Sequence, residues 1–241
     1  MMEGADVAEA TAASETTAER IAAVLRRRIT EGELPPGTQL CEERLVTLMA
    51  VSRNTLREAF RLLTHDGLLV HHLHRGVFVP ELDEDDLVDL YRLRRTIECA
   101  VVRSLTGLDA DRLRALRSIA EAAEAAASRN DWGEVGTANM RFHQHLVDLG
   151  GSRRIGEVTR RLLAELRLVF HIVTSPQQLY DPYVDRNRAL LDMLAANDVA
   201  RAADYLEQYL CDSEEQLLAA YRGRRDTAPA RAMTTKGGGN R

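Results

Sequence analysis

Three arginines recur at four-residue intervals, Arg53, Arg57 and Arg61. A helix turns about 100° per residue, so with Arg53 at 0° they fall at about 0°, 40° and 80°, on one face. Guanidinium groups in such a row hold phosphates, or the edge of a guanine, through paired N–H donors. Leu56, Ala59, Phe60 and Leu63 fall between about 240° and 340°, so an apolar stripe can pack while the arginine stripe enters a groove. The plainer reading is a solvated helix face. Three features argue against it. No acid stands four residues beyond any of these arginines, the helix start adds positive potential for phosphate, and Val51-Ser52-Arg53 sits where a turn must deliver a recognition helix. The chemistry implied is DNA reading. Next to it, His71, His72 and His74 could suggest a metal. Strand alternation sends His71 one way and His72 and His74 the other, so we read a surface of partly protonated imidazoles. Arg75 beside Gly76 at a hairpin tip can reach a minor groove or the backbone. No nucleophile and base stand in an arrangement that suggests an enzyme.

The elements that must position these residues are legible around them. A helix from Thr17, taken as its cap, carries Ile21, Val24, Leu25 and Ile29 on one face and stops at Gly32. Leu34-Pro35-Pro36-Gly37 is a turn. A short helix over 42–49 buries Leu45, Leu48 and Met49. Ser52 caps a third helix through His65, closed by Asp66-Gly67. Strands at 68–72 and 77–79 then form a hairpin. Residues 1–16 and 224–241 lack a periodic apolar face and are expected to be disordered.

Composition bounds the rest. The 241 residues, 45% hydrophobic and 29% charged, suit one or two globular domains. No apolar run approaches a membrane span and no secretory signal is visible, so a cytoplasmic protein without membrane association is expected. Cys41, Cys99 and Cys211 have no metal or redox spacing and are expected to be small buried residues. The net charge of -5 opposes nucleic-acid binding only until it is localised: residues 18–80 hold nine arginines against seven acids, a net of +2.

Residues 18–80 resemble the DNA-binding domain of the GntR family of bacterial transcription regulators. The resemblance rests on Leu34-Pro35-Pro36-Gly37-Thr38-Gln39-Leu40, Glu42, Leu45, Val51-Ser52-Arg53, Leu56-Arg57-Glu58-Ala59, Leu62-Leu63, Asp66-Gly67-Leu68 and Arg75-Gly76. It implies a winged helix-turn-helix over 17–80. With the charge pattern, it nominates Arg44, Ser52, Arg53, Asn54, Thr55, Arg57, Arg61, His74, Arg75 and Gly76 as DNA contacts. The family often has Thr-Pro where this chain has Asn54-Thr55, a departure expected to alter base preference.

Beyond an acidic hinge at 81–86, the pattern is helical to about residue 223. Helices are expected over 83–106, 109–128, 131–149, 153–174, 184–196 and 198–222, with breaks at 106–107, 129–130, 150–152, 175–183 and 197–198. The fold class is therefore mainly α, a winged helix-turn-helix followed by a helical bundle. Residues 83–222 are similar to the all-helical effector domain of the FadR subfamily, through Leu93-Arg94-Arg95-Thr96-Ile97-Glu98, Phe142-His143-Gln144-His145-Leu146 and Asn197-Asp198.

Members of that subfamily often hold zinc on one Asp and three His. The corresponding positions here are Asn139, His143, Asn187 and Tyr209, of which His143 alone is a good ligand. No metal cofactor is expected, although His171 or His145 could rescue a zinc site. A polar pocket is expected instead, in which Asn139, His143, Asn187 and Tyr209 bind a small organic effector. Arg94, Arg167 and His171 would assist, the arginines by pairing a carboxylate. The competing reading is a sealed core in which these residues satisfy one another. The resemblance thus implies a homodimeric repressor on a palindromic double-stranded operator, controlled by a carboxylate-bearing metabolite. A fatty acyl ligand, or a helical domain that only dimerises, are the alternatives.

Overall fold

The computed structural model describes residues 15–170 and 176–227, with the side chains of 224–227 left aside. Most of the expected N-terminal arm and C-terminal tail lies outside the described residues. Where the two ranges overlap the described chain, it is ordered: Thr16 caps the first helix and the last helix runs to Thr227. The chain divides into two compact units, residues 1–81 and 82–241.

In the first unit, α1 spans Thr17–Thr30, α2 Glu42–Met49 and α3 Arg53–His65. The cap of α1 is Thr16, one residue before the expected Thr17. Thr16 alone has a glutamate three residues on, so its hydroxyl accepts from the Glu19 amide while its own amide donates to the Glu19 carboxylate at 2.7 Å. Leu25, Ile29, Leu56, Ala59, Phe60 and Leu63 form the buried seam between α1 and α3. Leu48, expected to be buried, is exposed. The turn between α2 and α3 is made by Ala50 in the left-handed region, φ 52°.

The wing is a three-stranded sheet, not a bare hairpin. Strands β2 (Val70–His72) and β3 (Gly76–Phe78) pair antiparallel, with His71 opposite Val77. A third strand, β1 (Gln39–Leu40), missed in the sequence, pairs on the other side of β3, so the order is β1-β3-β2. Leu68 and Leu69, expected in the first strand, turn into the core instead.

The second unit is all helical: α4 (Glu84–Arg94), a π turn (Arg95–Cys99), α5 (Ala100–Ser104), α6 (Ala110–Ser128), α7 (Trp132–Asp148), α8 (Arg153–Phe170), α9 (Pro176–Ala195) and α10 (Val199–Thr227). Val102, Leu116, Phe142, Leu146, Leu190, Leu194 and Leu206 are fully buried in its core. The helix expected over 83–106 is helical from Glu84 to Ser104, with the π turn inside it; another expectation fails. The break expected over 175–183 is largely helix: α9 starts at Pro176, where the missing N–H costs nothing, and continues through Pro182. An internal proline strands the carbonyl four residues back, that of Gln178. The side chain of Gln216 on α10 donates to this carbonyl at 2.9 Å, and burial of Leu179, Tyr180 and Tyr183 anchors the segment.

Candidate functional site

The DNA-reading face is built by α3. Ser52 Oγ accepts from the Thr55 amide at 3.1 Å and contacts the Thr55 hydroxyl at 2.8 Å, so both side chains hold the helix start in place. Asn54 and Arg44 are exposed. Arg53, Arg57 and Arg61 project together from α3, as their spacing requires, but the expectation that they lack acidic partners is overturned. Arg61 donates from Nε and Nη2 to Glu58, three residues back. Arg57 Nε lies 3.1 Å from both carboxylate oxygens of Glu42 on α2. Arg53 comes within 3.7 Å of Glu43. The absence of an acid at i+4 was the wrong test, because the partners stand at i−3 and on the neighbouring helix. Arg57 and Glu42 line a cleft of about 630 Å³ with Phe60, Arg61, His65 and His71.

In the wing, His74 has φ 60° and Gly76 φ 99°, the two left-handed residues that close the tip. Arg75 stacks over the Phe78 ring at 5.5 Å, and its carbonyl accepts from Gln39 Nε2 at 2.7 Å. His71, His72, Leu73, His74 and Arg75 are all exposed, and Leu73 is 75% accessible. Cys41, expected to be buried, is also exposed, because it stands at the start of α2 with its side chain making no cap. Cys99 is buried, and burial pushes its thiol up to about 12.

In the second unit, the structure brings Arg94, Asn139, His143, Asn187 and Tyr209 into one hydrogen-bonded cluster, none more than 7% exposed. Its centre is Glu98, which the sequence reading passed over. Arg94 Nε donates to Glu98 Oε1 at 2.7 Å, and His143 Nδ1 lies 2.6 Å from Glu98 Oε2. His143 Nε2 meets the Tyr209 hydroxyl at 2.9 Å; that hydroxyl lies 3.1 Å from Asn139 Oδ1, which accepts from Asn187 Nδ2 at 2.8 Å. Burial alone would raise the Glu98 carboxyl, but the Arg94 charge, with His143, outweighs it and holds the group at about 2. Burial lowers His143 below the usual histidine range, against the pull of Glu98. The Tyr209 hydroxyl donates its one proton to Asn139 Oδ1, so the chain of hydrogen bonds runs from His143 through Tyr209 to the two asparagines. The signal for Glu98 was present as Arg94 and Glu98 at i,i+4.

The expectation that Arg94 is open to an external carboxylate needs correction at one atom: its Nε is taken by Glu98. Two atoms of the cluster, Arg94 Nη2 and Asn187 Oδ1, are buried and have no hydrogen-bond partner among the described residues. Arg167 stands elsewhere, donating to Thr137 Oγ1 at 3.1 Å and toward the Gly133 carbonyl on α7. His171 lies outside the described residues. His145 contacts the Arg141 carbonyl within its own helix. The donor set does not fit zinc. Both nitrogens of His143 are occupied, the other positions offer amides and a neutral phenol, and a guanidinium sits at the adjoining carboxylate. Among the described residues, no three His, Cys, Asp or Glu are grouped to hold a metal ion, and no helix is long and apolar enough to cross a membrane.

Comparison with known proteins agrees with this geometry. The profile for bacterial regulatory proteins of the gntR family matches residues 17–79, and that for the FCD domain matches residues 89–211. A solved structure described as a transcriptional regulator GntR from a Rhodococcus species superposes with a TM-score of 0.79 at 39% identity, over 85% of this chain and 99% of that one. The chain is 31% identical to the uncharacterized HTH-type transcriptional regulator YdhC of Bacillus subtilis, over 54% of this chain and 59% of that protein. It is 27% identical to the HTH-type transcriptional repressor RspR of Escherichia coli, over 71% and 78%. The chain belongs to the gntR family of bacterial regulatory proteins: it is a DNA-binding transcriptional regulator with a winged helix-turn-helix and an FCD effector domain.

Proposed function

We propose that the chain acts in the cytoplasm as a homodimeric repressor, regulatory and not enzymatic. In this reading each protomer lays α3 in the major groove of one half of a palindromic operator, and the wing touches neighbouring backbone or minor groove. The observation that carries the reading is the exposed row Arg53, Arg57 and Arg61 beside Ser52, Asn54, Thr55 and the wing tip at His74, Arg75 and Gly76. The second unit would sense a small carboxylate-bearing metabolite at the Arg94 cluster. Arg94 Nη2, a charged donor, and Asn187 Oδ1, an acceptor, are the unfilled atoms it would meet. A group with an acceptor and a donor, such as a hydroxy acid, supplies both.

The test is capture of fragmented genomic DNA by the full chain, followed by sequencing. Enrichment of one or a few short palindromes is expected, and uniform recovery would oppose sequence-specific reading. A panel of small organic acids should then weaken binding to the enriched duplex, with loss of the response in Asn187→Ala. A second reading is favoured by the mutual hydrogen bonding of Glu98, His143, Tyr209 and Asn139: the cluster is a sealed structural core and the helical unit only dimerises. In that case no acid in the panel shifts the melting temperature or the DNA affinity.

A further inference from the structure

The three arginines of α3 are held by their acids in different ways. Arg61 spends both Nε and Nη2 on Glu58, the side-on arrangement, which leaves one amino group for an outside contact. Arg53 makes only a 3.7 Å approach to Glu43 through Nη2. Arg57 gives up Nε alone, equidistant from the two oxygens of Glu42, and among the described residues its Nη1 and Nη2 have no partner. A guanidinium carries five N–H donors in a planar fork. With Nε–H taken, the end-on edge formed by Nη1 and Nη2 remains whole, and two parallel donors can span O6 and N7 of a guanine. Glu42 stands in the first turn of α2, where the helix start favours its negative charge, so Arg57 is tied to two helices at once.

We propose that Glu42 is a positioning residue for base reading: it holds Arg57 by Nε and turns the Nη edge outward to a guanine. This rests on the reading of α3 as the DNA-reading helix. Glu42 has a second effect by the same geometry. Its carboxylate beside Arg57 disfavours a phosphate there, so Arg57 contributes little to non-specific backbone binding. Specificity then comes from an acid on the DNA face, which is otherwise a liability to a DNA-binding surface.

The test uses the full chain, the duplex it enriches most from fragmented genomic DNA, single base-pair variants of that duplex, and a scrambled duplex of the same length, across a salt series. Arg57→Ala should lose about tenfold or more of discrimination at one G·C pair. Glu42→Gln should lose discrimination at that same pair, bind the scrambled duplex more tightly, and steepen the log–log salt dependence by up to about 0.9. Glu42→Asp keeps the charge but shortens the reach, so it should lose discrimination without gaining scrambled-duplex affinity; circular dichroism melts establish that each variant is folded. If Glu42→Gln weakens every duplex equally, or leaves discrimination unchanged while Arg57→Ala removes it, the positioning role is wrong. If Arg57→Ala leaves discrimination intact, Arg57 does not read a base and the proposal fails, while the reading of α3 is tested separately by whether any duplex is enriched at all.

Discussion

The same chemical pair, an arginine held by a glutamate, appears in both units with opposite consequences. Arg57 and Glu42 are 64% and 28% exposed, whereas Arg94 and Glu98 are 2% and 0% exposed. In water, an exposed pair of this kind is worth about 0–1 kcal/mol to the fold, so Glu42 can orient Arg57 while its Nη edge stays open to a further partner. In the interior, a charge left without its partner costs about 3–5 kcal/mol, so the pair is locked once formed. Exposure, not residue type, decides which arginine is free to meet DNA and which belongs to the core. For the buried cluster to sense anything, a ligand must use the atoms the network leaves over.

The contrast can be broken most sharply at Glu98. Glu98→Ala should lower stability by about 3–5 kcal/mol in urea denaturation, while Glu42→Ala should change it by less than about 1 kcal/mol. Similar losses from both would mean the two pairs do not differ as their burial requires. A second effect follows from titration. The Glu98 carboxyl drops from its ordinary value of 4.5 to about 2 on folding, so the unfolded chain binds the proton more tightly. Its stabilisation is complete above 4.5 and is lost as pH falls toward 2. His143 is also lowered from 6.5 by burial, so its contribution declines in the same direction, beginning as pH falls below that value. Denaturation midpoints should thus fall in acid, and Glu98→Gln should flatten the limb below 4.5.

Smaller effects sharpen the exposed side. Arg61→Ala should weaken specific and scrambled duplexes alike and reduce the salt slope by about 0.9, because one amino group suits a phosphate. Loss at a single base pair would instead make Arg61 a base reader. Least of all, Ala50→Gly should raise thermal stability, by up to about 1 kcal/mol, since alanine at φ 52° is strained and glycine is not. A fall in the melting temperature would mean that the Ala50 methyl has a packing role.

Local signals were read well where the physics is local. The breaks expected near Gly107, Asn130, Gly151 and Asn197 all carry positive φ, a conformation that glycine and asparagine tolerate by their own chemistry. The Ser52 cap needed only four residues of context and the apolar face of α3 about two turns. The break expected over 175–183 failed for the complementary reason: the breaking effect of Pro182 is local, but the repair comes from Gln216 on another helix. Strand β1, two residues long, exists only because β3 is there to pair with it.

By itself, then, the sequence determined the helices of the reading unit, the arginine face of α3, the wing and the helical nature of the second unit, because propensity, capping and periodicity act over one or two turns. The Arg61–Glu58 and Arg94–Glu98 pairs lie within one helical turn, whereas tertiary structure alone decided the partners that come from far along the chain. Glu42 lies 15 residues from Arg57, and Glu98 and His143 are 45 apart. It also decided that His143 spends both nitrogens on Glu98 and Tyr209. Charge partners are chosen by what packing brings within hydrogen-bond reach, and burial then sets whether the pair can be exchanged; neither distance nor burial is carried by residue spacing.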